Sequence, residues 1–185
     1  MAHHVHDVTL EPENYTTPRD VTFNETGRSP LYYVKQAIQE RNSAARKGSP
    51  FDEVWCVFDV DNHADLAEAL SLAKAKGVHV ALSSPSFELW LLWHFEDNSA
   101  HISQTHVERR LRPHLPGYSK RLLGMESRLE GGSEAACRRA SQLARKHEGD
   151  GSPEFANPSS RVGGLVESVR DSLERFHPGS TAPYP

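Results

Sequence analysis

The 185-residue chain sets 21 Lys and Arg against 25 Asp and Glu. A net charge of −4 excludes a uniformly basic protein that coats nucleic acid. No run approaches the ~20 apolar residues of a membrane span, and the amino terminus has no apolar signal core. Two cysteines, Cys56 and Cys137, give neither a disulfide scaffold nor zinc spacing, so a cytoplasmic protein is expected. Length and an apolar share of 37% allow one α/β domain with at most a helical addition.

Residues 1–25 lack apolar periodicity, and their His3, His4 and His6 read as a disordered tip rather than a metal site. Residues 21–23 fit a short strand. A single domain is expected over residues 26–177, with a frayed tail at 178–185. Ser29-Pro30 fits an N-cap followed by Pro at the first helical position. Leu31, Val34, Ala37, Ile38 and Arg41 follow at helical spacing, and residues 42–50 read as a polar loop.

Residues 53–59 are nearly all bulky or β-branched, the pattern of a strand buried on both faces within a parallel sheet. The strand ends in Asp59-Val60-Asp61. Side chains alternate across a strand, so the two carboxylates share one side with Cα atoms roughly 6.5 Å apart. Like charges that close need compensation, and oxygen ligands suit Mg²⁺ or Mn²⁺. The plainer reading is an Asp that caps the next helix or starts a turn.

A helix is expected over residues 64–76, with Leu66, Ala69, Leu70 and Ala73 on its buried stripe and Gly77 at C′. Residues 78–82 form a second apolar strand, which completes a βαβ unit and argues for a parallel sheet. Ser84 then fits a cap and Pro85 the opening of a helix that is apolar nearly all round. Glu88 is its only acid. It reads either as a helix-start acid or as a carboxylate delivered to the sheet edge that holds Asp59 and Asp61. His94 reads as a satisfied interior histidine.

The remaining half is helical. Thr105-x-x-Glu108 fits a capping box, residues 120–129 and 133–146 are further helices, and 148–160 is a Gly/Pro/Ser loop. Residues 160–176 form an amphipathic helix with Val162, Leu165, Val166, Val169 and Leu173 on one stripe. Between residues 101 and 147 ten Lys or Arg face four acids. Arg109, Arg110 and Lys120 are the candidates for a phosphate-binding face, against the alternative of ordinary solvated helices.

Residues 54–63, the Ala81-Leu82-Ser83-Ser84-Pro85-Ser86-Phe87-Glu88-Leu89-Trp90 block, His94-Phe95, Leu115-Pro116-Gly117-Tyr118-Ser119-Lys120 and Asn157-Pro158-Ser159-Ser160 with Leu165-Val166 resemble the RloB-like family. The resemblance runs from about Thr26 to Val169. It implies prokaryotic anti-phage defence or abortive infection beside an AAA-type ATPase. It also implies a Toprim-like core, as in nucleases, topoisomerases and primases, where an early glutamate works with a later Asp-x-Asp that holds Mg²⁺. That role falls on Asp59 and Asp61, with Glu88 as an auxiliary carboxylate.

The family opens on an apolar strand and a Glu-Gly-x-x-Thr-Glu stretch, and this sequence shows only a faint echo of its end at residues 10–15. The expectation is therefore metal binding without the general acid/base, weak nuclease activity, and an uncovered strand edge that favours self-association. Two other classes fit parts of the pattern. Phe58-Asp59-Val60-Asp61 with a later strand ending in Ser83 resembles a haloacid dehalogenase-type phosphatase, but His63 stands where that family has Thr or Val. A binding module that regulates an ATPase without chemistry needs none of these carboxylates.

Overall fold

The computed structural model describes residues 28–60, 63–118 and 126–176. Within them run α1 (Pro30–Arg46), β1 (Trp55–Asp59), α2 (Leu66–Lys76), β2 (His79–Ser84), α3 (Glu88–Leu92), α4 (Gln104–Leu111), α5 (Glu126–Leu129), α6 (Ser133–Gly149), β3 (Ser159–Ser160) and α7 (Val162–Phe176). The fold is α/β, with a small three-stranded sheet in the order β1-β2-β3 and helices over more than half of the described chain. Among the described residues, no helix is long and apolar enough to cross a membrane.

The βαβ unit forms as its pattern requires. Gly77 ends α2 in the left-handed conformation at φ 64°, where a Cβ is costly. From α1 the Arg41 guanidinium donates to the carbonyls of Lys76 (2.6 Å) and Gly77 (3.2 Å), placing a cation on the negative end of α2. β1 then lies parallel to β2, with Asp59 opposite Ser83. Alternation puts Cys56 and Phe58 on one face, against Val34 of α1 and Ala69 and Ala73 of α2. Ala81 and Trp55 point to the other face, into a larger core built on Leu89 to Trp93, Val107, Leu111, Ala136 and Leu143.

Several elements differ from the sequence pattern, each for a local reason. β1 is not buried on both faces: it ends the strand order among the described residues, and Val57 is 36% exposed. β2 is the central strand. It runs on to Ser84, because Ser83 and Ser84 pair antiparallel with Ser160 and Ser159, which makes the sheet mixed. α3 consequently starts at Glu88 rather than Pro85, although all five of its residues are buried as its apolar composition requires. α1 continues through Arg46, since Ala44 and Ala45 are strong helix formers and the first breaker is Gly48 at φ 80°. Ser103, not Thr105, caps α4, its side chain accepting from the His106 amide at 3.3 Å. On α7, Val162 is buried but Val169 is 39% exposed, so the apolar stripe is only partly covered.

Residues 1–25, the strand at 21–23, the first part of the 120–129 helix and the tail at 178–185 lie outside the described residues, as does the Leu173 side chain.

Candidate functional site

Asp59 ends β1, and its Oδ1 accepts the Phe87 amide at 2.8 Å. That bond crosses from β1 to the turn after β2, so Ser86, Phe87 and Glu88 are held at the carboxyl ends of the two parallel strands. Open α/β sheets bind their ligands at this edge. The turn stays there because Ser84 still pairs with Ser159.

Glu88 is the first residue of α3 and is 2% exposed. Its Oε1 accepts the Tyr118 hydroxyl at 3.2 Å, while its Oε2 is buried and has no hydrogen-bond partner among the described residues. Ser86, 0% exposed, likewise has a buried, unpartnered Oγ. Beside them the Ser83 and Ser160 hydroxyls bond to each other at 2.9 Å across β2 and β3. Burial, together with the nearby Glu88, raises the Tyr118 hydroxyl well above the usual tyrosine range, with Glu108 and Asp59 adding to the effect. Tyr118 is therefore a hydrogen-bond donor to the crevice and not a phenolate.

A buried carboxylate oxygen without a partner costs stability. The candidate donors at this end of the sheet, Asp59, Glu88 and the Ser86 hydroxyl, are all oxygen. Such a set suits a hard divalent cation and does not suit zinc or copper. Asp61 lies outside the described residues, and among those described no group of three His, Cys, Asp or Glu is assembled for a metal. The residues present fit Mg²⁺ in the chemistry of their donors.

The basic candidates divide. The Arg110 guanidinium is occupied inside the fold, donating to Glu96 Oε1 (2.9 Å), Asn98 Oδ1 (2.6 Å) and the Asp97 carbonyl (3.1 Å). Arg139 holds the same loop from α6, through the Asp97 carboxylate and the Trp93 carbonyl. Arg109 is exposed and donates to His106 Nε2 at 2.9 Å. Lys120 lies outside the described residues.

Other titratable groups are structural. His94 Nδ1 lies 3.0 Å from the Trp90 carbonyl, which makes it the satisfied interior histidine its place in an apolar helix suggested. Burial pushes the Cys56 thiol up to about 12, so it is an inert core residue. Sequence reasoning singled out Asp59 and Glu88 but missed Tyr118 and Ser86. The signal for Ser86 was present in Ser83-Ser84-Pro85-Ser86, four small or turn-forming residues directly after a buried strand.

No curated protein and no solved structure matches the chain. The family model described as RloB-like protein matches residues 3–169, beginning well before the Thr26 at which the individual motifs become recognisable. The chain belongs to the RloB-like family.

Proposed function

We propose that the chain is a Mg²⁺-dependent, Toprim-like protein that acts on nucleic-acid phosphodiesters in prokaryotic anti-phage defence, together with an AAA-type ATPase. Asp59 and Asp61 hold the metal and Glu88 is the auxiliary carboxylate. One observation carries this reading: a carboxylate 2% exposed, with one oxygen unpartnered among the described residues, at the strand edge that ends in Asp59. A cation supplies the charge that this oxygen lacks.

Held by Asp59 and Asp61 with Glu88 beside them, Mg²⁺ or Mn²⁺ would supply Lewis-acid chemistry toward a phosphodiester. The chain's own residues do the rest. The Phe87 amide fixes one oxygen of Asp59, the Tyr118 hydroxyl fixes one of Glu88, and α3, buried throughout, anchors Glu88 in the core. The basic helical half, with Arg109 exposed on α4 and Lys120 beyond Tyr118, supplies cations for the nucleic-acid backbone. Arg110 serves the same face indirectly by holding the loop that precedes α4. The sequence contains no Glu-Gly-x-x-Thr-Glu, and a positioned proton acceptor contributes about 10²–10⁴ in rate.

Calorimetric titration with Mn²⁺ tests this. Wild type should bind, and Asp59→Asn combined with Asp61→Asn should abolish binding. The same affinity in the double variant would remove the metal assignment. Copurification with the ATPase of the same operon tests the partner.

A further inference from the structure

Glu88 is a long, flexible side chain at the start of a helix of only five residues. A flexible ligand binds a cation well only if something fixes its orientation beforehand. Among the described residues, a single hydrogen bond holds the Glu88 carboxylate, and it comes from a residue thirty positions further along the chain. That residue, Tyr118, is carried rigidly. Leu115, fully buried, anchors the turn; the Tyr118 amide donates to the Leu115 carbonyl at 3.0 Å; and Gly117, at φ 77°, supplies the left-handed step that brings the ring back onto the core.

The bond is a poor choice for stability alone. A tyrosine bonded to a backbone carbonyl would satisfy its hydroxyl without leaving anything exposed to desolvation. Here the acceptor is one oxygen of a buried carboxylate, and the second oxygen is left without a partner. An oxygen so placed is open to a partner from outside the described fold, a cation among them.

We propose that Tyr118 is a positioning residue. Its hydroxyl holds Glu88 by Oε1 and leaves Oε2 for the divalent cation proposed at the Asp59 end of β1. This rests on the metal reading above. Groups that hold a metal-binding side chain by hydrogen bonds commonly change metal affinity 10–100-fold when removed. The phenylalanine variant keeps the ring and its packing and removes only the hydroxyl.

The experiment is Mn²⁺ titration of wild type, Tyr118→Phe, Glu88→Gln and the double variant, by calorimetry and by the EPR line shape of bound Mn²⁺. Thermal unfolding of each metal-free protein checks that it folds. Tyr118→Phe should weaken Mn²⁺ by at least about tenfold and alter the line shape. In the Glu88→Gln background the same change should have no further effect, because its target carboxylate is gone. A purely structural tyrosine would lower the unfolding temperature and leave affinity and line shape unchanged, which overturns the proposal. Equal losses in both backgrounds also overturn it, since Tyr118 would then act through some other group. If wild type binds no Mn²⁺, the metal reading falls and this proposal with it. If wild type binds, Asp59→Asn abolishes binding and Tyr118→Phe is silent, only the role of Tyr118 fails. Should Tyr118→Phe not fold, the Tyr118→His variant offers the shortest alternative donor, and partial recovery of Mn²⁺ affinity relative to Tyr118→Ala is expected. No recovery in that comparison counts against the hydrogen bond.

Discussion

Replacing Glu88 by Gln should make the metal-free protein more stable and the Mn²⁺-loaded protein less so. The side chain is 2% exposed and, among the described residues, makes one hydrogen bond, from Tyr118. An incompletely paired buried charge costs several kcal/mol, of which the charge-assisted bond offsets roughly 1.5–3 kcal/mol. Gln keeps an oxygen for Tyr118 and removes the charge, but leaves an amide NH₂ whose own desolvation costs about 1–3 kcal/mol. The difference favours Gln by about 1–2 kcal/mol, or an unfolding temperature higher by roughly 2–8 °C for a chain of this size. At a free Mn²⁺ concentration near 100 times the wild-type Kd, wild type gains about 2.7 kcal/mol, and Glu88→Gln, weakened about 100-fold, gains about 0.4 kcal/mol. The order of stability should therefore reverse between EDTA and Mn²⁺, read from urea unfolding of both proteins at neutral pH. A variant clearly less stable than wild type in EDTA would mean that the carboxylate is fully paired within the fold. The observation on which the metal reading stands would then be gone.

Four other perturbations have definite outcomes. A methyl group at Gly132 would lie 2.8 Å from His94 Cβ and 3.1 Å from its carbonyl oxygen, so Gly132→Ala should cost about 1–3 kcal/mol; an unchanged unfolding temperature would show that α6 can shift away. Asn157 bonds both the amide (3.0 Å) and the carbonyl (2.9 Å) of Ile102, so Asn157→Ala should lose about 1–3 kcal/mol by denaturant unfolding, and a loss below a few tenths would contradict the clamp. Burial holds His94 below its ordinary value of 6.5, so the unfolded chain takes up a proton first as pH falls below 6.5 and stability drops there; His94→Asn should flatten that drop, and an equally steep fall would exonerate His94. Arg110→Ala should lower stability and leave the salt dependence of nucleic-acid binding intact, whereas Arg109→Ala should reduce the slope of log affinity on log salt by about 1; the opposite pattern would show that Arg110 leaves its loop to meet phosphate.

The β1–α2–β2 unit was legible because each of its parts has a local cause: two apolar runs, a stripe of Leu and Ala, and a Gly that adopts φ 64° without the cost of a Cβ. β3 has no such cause. Two serines make a strand only because β2 offers them an unpaired edge, and no periodicity can show that in Ser159-Ser160. The same pairing moved the start of α3. Ser84-Pro85 carries a valid helix-start signal, but Ser84 is already committed to the sheet, and tertiary hydrogen bonding overrode local propensity. Thr105 and Ser103 show a finer version of this competition, since two capping residues stood within one turn and the structure uses the earlier.

The site divides along the same line. Asp59 and Glu88 were visible because a charge that ends an apolar strand, or stands alone in an apolar helix, is conspicuous, even though a turn-starting Asp and a helix-start Glu were also available as readings. Tyr118 was not visible, because its meaning depends on a partner thirty residues away and on Gly117 turning the chain back toward the core. Local pattern identifies which groups are costly where they stand. Only the fold shows what is set against that cost, and here the Tyr118 hydroxyl meets one oxygen of Glu88 and leaves the other bare. Among the described residues Glu88 Oε2 and Ser86 Oγ are buried without a hydrogen-bond partner, next in sequence to the Phe87 amide that Asp59 accepts, and the Mn²⁺ titrations of Glu88 and Tyr118 variants decide what meets them.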